Sequence, residues 1–368
     1  MTLIIDQDLK SFSSRRRSIE TKLISNRKKT PYFLLIILTA VFNLTATAVQ
    51  AQQPLPRESG FSGYIELLGA YFSTNSQLNT DDKNKKTDSL DKSGRRVNKV
   101  RPIPLGLISY TFADIRTQLY LGLLPENVTQ GQFSIEAGIR HDLTDGTSLR
   151  AAFIPMTPIK EETWRDPFVV NQNREDTDIT SYGFNLAADS IKGTGLNLRV
   201  GWVRATIDDE ESGRFLLSQP DSFLTTDDLD DLRRDSNLYR FTGEYSFRLG
   251  RRMRLKPILR YTRGDAKGDA NSFHGLNPQL SLLYFRDQLQ VALNAAVNGE
   301  WYDDTHPVFD KTRRDLNLGL FAILGYKDPF SFKNFRVDWF NGIFRQNSNI
   351  DFFESTSWLT ALGVGYEF

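Results

Sequence analysis

Hydrolytic chemistry needs a nucleophile and a base, and this 368-residue chain has only three histidines: His141, His274 and His306. Ser272 and His274 are two residues apart, which on a strand puts them on one face. Spacing alone does not make a Ser–His pair, because such pairs are defined by geometry and roles. A histidine beside a loop is the favoured reading over a hydrolase. A second group is acidic. Asp227, Asp228, Asp230 and Asp231 offer the oxygen ligands that Ca²⁺ takes, but the glycine and terminal glutamate of a dedicated calcium loop are missing. The surrounding stretch 208–236 carries ten acidic and three basic residues. It reads as a solvated surface loop containing a short helix. No cofactor, no metal and no catalytic residue is expected.

A third group is larger and periodic. Glu66, Glu136, Arg140, Arg150, Arg199, Arg240, Glu244, Arg254, Lys256, Arg260, Arg336 and Asp338, with Asn197, Asn294 and Asn317, occupy the polar positions of segments that alternate apolar and polar residues. Eight of these residues are basic and four acidic. Such residues could line a water-filled passage with a mild anion preference, since rings of charge bias permeation. They could equally fill a blocked lumen with Arg–carboxylate networks. Their types and spacing serve both uses.

The elements that must position them are short. Alternation appears at 61–72, 106–112, 117–123, 132–140, 148–154, 180–188, 196–203, 237–247, 253–262, 277–285, 288–297, 316–326, 335–344 and 359–368. That is about fourteen strands, with 12–16 allowed, of the roughly 9–11-residue class that crosses a membrane as a barrel. The connections alternate in length. Long ones fall at 73–101, 157–177, 208–236, 263–276 and 298–315, and short ones at 113–116, 142–146, 192–195, 248–252 and 286–287. The connection LPENVTQG (124–131) is of medium length on the long side, and KDPFSFKN (327–334) is long for a short turn. The expected fold is therefore all-β, a transmembrane up-and-down antiparallel barrel with short periplasmic turns and long outer loops. Backbone groups facing lipid have no water to satisfy them. The segment LTALGVGYEF (359–368) is thus expected to pair with FSGYIELLGAYF (61–72) and close the barrel. Leu362, Val364, Tyr366 and Phe368 would face lipid. The five tryptophans read as interfacial girdles.

Before the first strand, a basic stretch precedes the apolar run YFLLIILTAVFNL (32–44) and the small-residue segment TATAVQA. This predicts a signal peptide over 1–51 cleaved after Ala51, then a short lead (52–59) and the barrel (60–368). The run is shorter than the ~20 residues a spanning helix needs. Removing 1–51 takes eight of the 46 basic and three of the 45 acidic residues, which leaves a slight acidic excess. Nucleic-acid binding, which needs a clustered basic surplus, is not expected. The eight-residue lead leaves no room for the plug domain of an energy-coupled transporter. The absence of cysteine argues against a small disulfide-stapled exported domain.

The pieces GFSG (60–63), LNTDD (78–82), SYTF (109–112), ETWRDPF (162–168) and GTGL (193–196) resemble a family of proteobacterial outer-membrane proteins known only as a domain of unknown function. The resemblance spans most of the chain after residue 51. It implies a porin-like barrel and brings no activity or catalytic residue with it. The aromatic Phe368 also resembles the sorting end of bacterial outer-membrane barrels. Expected partners are outer-membrane lipid, lipopolysaccharide against the basic segment 73–101, the barrel assembly machinery and small hydrophilic solutes. The expected function is passive diffusion of such solutes. A surface-exposed adhesion or structural barrel with a blocked lumen is the alternative, and an outer-leaflet lipid hydrolase a distant third.

Overall fold

Outward-facing leucines define this molecule as clearly as its hydrogen bonds do. The computed structural model describes residues 55–155 and 161–368; the predicted signal peptide lies outside them. Strands β1 (Gly60–Thr74), β2 (Val97–Phe112), β3 (Thr117–Gly122), β4 (Glu136–Asp142) and β5 (Ser148–Ile154) are followed by a short β6 (Glu161–Trp164). Then come β7 (Asp176–Asp189), β8 (Leu196–Ile207), β9 (Ser236–Tyr245), β10 (Phe247–Leu249), β11 (Met253–Ala266) and β12 (Phe273–Arg286). The last are β13 (Leu289–His306), β14 (Lys311–Lys327), β15 (Phe335–Ser348) and β16 (Ser355–Glu367). β6 pairs only with β7, in an outer loop. β9 and β10 meet β11 in one unbroken register, Glu244 opposite Ile258 and Phe247 opposite Leu255, so they form a single stave. Fourteen antiparallel staves result, and β16 pairs with β1 to close the ring.

Closure ends on a reciprocal pair. Phe368 N donates to Gly63 O at 3.0 Å and Gly63 N donates to Phe368 O at 2.9 Å. Gly63 is glycine for a steric reason: a Cβ there would lie 2.1 Å from Leu107 O and 3.0 Å from the Phe368 ring.

Leu67, Leu186, Leu259, Leu320, Leu362 and Val364 are each more than half exposed, and every stave contributes exposed large apolar residues. A belt of this extent is far beyond what a water-soluble monomer exposes. With every stave paired on both edges, it is the surface of a membrane-spanning barrel. Among the described residues, no helix is long and apolar enough to cross a membrane; the strands make the crossing. The molecule is an outer-membrane β-barrel.

The strands run further on the loop side than alternation indicated. β13 continues from Val297 to His306 and β2 begins at Val97, so the outer connections are shorter than expected. The turns expected at the periplasmic end are short at 113–116, 143–147 and 287–288, with left-handed backbone at Arg116, Gly146 and Asp287. β4 starts at Glu136 rather than near 132. The residues before it, with the short helix Pro125–Thr129, turn into the barrel instead of lying outside. Outside the membrane the loops pack on one another. Phe168, Leu232, Ile350, Phe352 and Phe353 form a buried cluster, joined by Leu90, Leu216, Val308 and Phe309. Five outer loops thus share one small apolar core.

Candidate functional site

The site is the interior, built around the segment between β3 and β4. Its apolar side chains, Leu123 and Val128, join an inward cluster with Tyr64, Leu68, Leu105, Phe321 and Phe340. Tyr64 OH donates to Leu123 O at 2.9 Å. The opposite side of the segment is polar. Asn127 Nδ2 donates to Glu136 at 3.2 Å, and Asn127 Oδ1 accepts from Arg199 Nη1 at 3.1 Å. Gln130 Nε2 donates to Glu244 at 2.8 Å, and Arg260 Nη2 donates to Gln130 Oε1 at 3.0 Å. Asn294 Nδ2 donates to Thr129 O at 2.7 Å. Partners on β1, β8, β9, β11 and β13 hold the segment across the lumen. The medium-length connection read as an outer loop is thus an internal constriction. Its signal was visible in residues 123–135 as apolar residues mixed with amides, where a solvated loop would carry charges.

All twelve charged residues singled out in the sequence belong to inward-facing positions of their strands. Most are paired along the wall. Arg140 meets Asp142 at 3.0 Å, Arg150 meets Asp189 at 2.7 Å, and Lys256 meets Glu244 at 2.8 Å. Arg336 pairs with the fully buried Asp338 at 2.5 Å and with Glu367 at 3.3 Å. Glu136 accepts from Tyr120, Asn127 and Asn185. Glu66 is buried near Asp338 and Arg336, and Arg254 lies over the Phe285 ring at 5.8 Å. Sequence reasoning missed Asp142 and Asp189, which stand at strand ends where alternation gives no face; alternation along 359–368 does put Glu367 inward.

Arg199, Arg240 and Arg260 are different. Their hydrogen bonds go to neutral groups: Arg199 to Asn127, Arg240 to Thr262 Oγ1, and Arg260 to Asn277, Gln279 and Gln130. None of the three forms an ion pair among the described residues. Arg260 lies close enough to Arg199 and Arg240 to be repelled by both. On the outer side of the constriction, Arg240 and Arg260 line a cavity of about 550 Å³, and Glu300 of β13, close enough to attract Arg240, belongs to the same lining. Eight asparagine and glutamine residues also border it, among them Asn277, Asn298 and Asn317.

The remaining candidates separate. Ser272 is buried in the turn entering β12, where its Oγ accepts from Ala266 N at 2.9 Å. His274 faces outward and bonds Tyr261 OH at 2.7 Å. The two residues are engaged apart. Pro278 leaves the β12 register unchanged, with Leu276 opposite Gly299 and Gln279 opposite Ala296. His141 bonds Thr117 beside a periplasmic turn at 2.9 Å. His306 is buried against Phe168, Phe309 and Phe353. The aspartates 227–231 lie on the helix Thr226–Asp231, where Asp228 accepts from Thr225 N in a capping box. Trp164 is not in a girdle. It is buried in the outer loops, its Nε1 donating to Gln77 O at 3.0 Å, with the Arg174 guanidinium 4.5 Å from its ring centre. Arg174 is fully buried and donates to Gln77 O, Pro167 O and Asn84 O. Burial alone pushes its guanidinium down to about 10, so it stays charged at neutral pH.

No curated protein matches the chain. Among solved structures, the outer membrane channel DcaP of Acinetobacter baumannii is similar at 10% identity, covering 86% of this chain and 100% of its own, with a TM-score of 0.41. Pseudomonas aeruginosa OpdQ is similar at 11% identity, 84% and 97% coverage and a TM-score of 0.36. A BenF-like porin from Pseudomonas fluorescens Pf-5 is similar at 10% identity, 84% and 98% coverage and a TM-score of 0.35. A family model matches residues 60–367, the whole closed barrel from the first residue of β1 to the last of β16. The chain therefore belongs to the family described as Protein of unknown function (DUF2860).

Proposed function

We propose that this porin-like barrel is a narrow channel for passive diffusion of small hydrophilic solutes, with a mild anion preference. The observation that carries the reading is the arginine cluster. Three guanidiniums without ion-pair partners gather beside the constriction, while the other inward charges largely cancel along the wall. Low-dielectric walls focus such a field and raise the local anion concentration. Outer-membrane lipid and lipopolysaccharide are the proposed surroundings, and the barrel assembly machinery the proposed inserter. A structural or adhesion barrel with a blocked lumen is the second reading. It is favoured by the way residues 123–135 cross the interior and by the packed outer loops.

The test is the reversal potential of purified barrel in a planar bilayer under a salt gradient. The channel reading expects anion selectivity in the wild type and a shift toward cations when Arg240 and Arg260 are both replaced by Gln. The shift should shrink at high salt, where the Debye length falls to ~3 Å at 1 M. A conducting wild type without anion bias, together with an unchanged variant, would remove the anion preference. A wild type that does not conduct would support the blocked reading.

A further inference from the structure

Three features of the outer-side cavity point to one kind of occupant. Arg240 lines the cavity, drawn toward Glu300 of the same lining, and among the described residues it has only the Thr262 hydroxyl as a hydrogen-bond partner. The Asn317 Oδ1 is buried at the cavity wall and has no hydrogen-bond partner among the described residues. Phe344 is 43% exposed although it points into the barrel. Its ring lies flush over Gly319 and Gly342, where added Cβ atoms would come within 3.2 Å and 2.8 Å of it.

Each feature costs stability unless something fills the space. A buried carbonyl oxygen without a donor gives up its hydration with no hydrogen bond in return. Like charges packed together in a low-dielectric interior repel. An aromatic face bared inside a polar lumen leaves its hydrophobic potential unused. A carboxylate would match Arg240, a hydroxyl hydrogen would match Asn317 Oδ1, and the C–H face of a pyranose ring would cover Phe344. The cavity of about 550 Å³ falls within the roughly 300–1,000 Å³ of pockets that take small molecules. We propose that this cavity is a binding site for sugar acids of the hexuronate class, seated between Arg240, Asn317 and Phe344. The proposal rests on reading the lumen as a solute path and names the solute that path favours.

Equilibrium binding to the refolded barrel in detergent tests it by calorimetry, independently of conduction. The probes are D-glucuronate, D-glucose and acetate. D-glucuronate should bind at least tenfold tighter than either of the others, each of which supplies one part of its chemistry. R240Q should bring D-glucuronate down to the level of D-glucose. F344A should weaken both sugars and leave acetate unchanged, and N317L should weaken D-glucuronate. Heat-modifiable gel migration reports that each variant is folded. D-glucuronate binding no tighter than acetate, no binding of any probe, or binding unaffected by R240Q and F344A would each overturn the proposal. Binding without conductance would overturn the channel reading alone. Anion-selective conductance without D-glucuronate preference would overturn this site alone.

Discussion

Leu293 and Asn294 are neighbours in β13 with opposite surroundings: the leucine is 46% exposed on the outer belt, and the asparagine is buried in the lumen. One residue of parity separates lipid from interior. Arg in place of Leu293 or Leu320 should therefore cost about 2–4 kcal/mol of folding stability near the bilayer midplane. Arg in place of Asn317, which faces the cavity, should cost much less; urea titrations of the refolded variants measure the difference. Asn294 is not a neutral control, because it holds Thr129 O and accepts from Gln279 and Ser281. Outside the membrane, Arg174 answers three backbone carbonyls from the loops around residues 77, 84 and 167. R174A should remove this donor from Asn84 O and Pro167 O, Gln77 O keeping Trp164 Nε1, and weaken the outer loops by about 2–4 kcal/mol, since hydrogen bonds to charged groups are the stronger kind. The expected readout is faster proteolysis within residues 75–96, with the barrel itself still resistant. The inward charges were legible in the sequence because period-two alternation assigns faces residue by residue. Arg174, Trp164 and His306 were not, because loop packing has no period to read.

Strands and connections were legible to different degrees. Strand number and pairing order followed from alternation and turn spacing, and β5 matched its predicted limits. Strand ends were underestimated, because beyond the lipid belt the outer face is no longer required to be apolar and the alternation fades. The segment 124–131 was misplaced for a related reason: length and composition do not tell which side of a barrel rim a connection folds toward. The closing strand is the element most exposed to failure. Phe368→Asp places a charge where the aromatic ring packs over Gly63, and Gly63→Val drives a side chain into the Leu107 carbonyl. Both should lower the yield of folded, heat-modifiable barrel in outer-membrane fractions. Wild-type amounts of either variant would mean that the β1–β16 seam is not the limiting step of closure.

At the scale of the whole molecule, the barrel is a wall of compensated charge around one segment that crosses it, beneath outer loops that share an apolar core. The account stands on the claim that this crossing segment narrows a path for solutes. A blocked structural barrel would have the same strands and the same belt, so the sequence pattern could not separate the two. Single-channel conductance in a planar bilayer does so most directly, comparing the wild type with a variant in which residues 125–131 are replaced by a Gly/Ser linker of equal length. The account predicts small, anion-biased openings in the wild type and a several-fold larger conductance in the variant, as the polar pins to Glu244, Arg260 and Asn294 are lost. Silence from both proteins, folded and inserted, would contradict it.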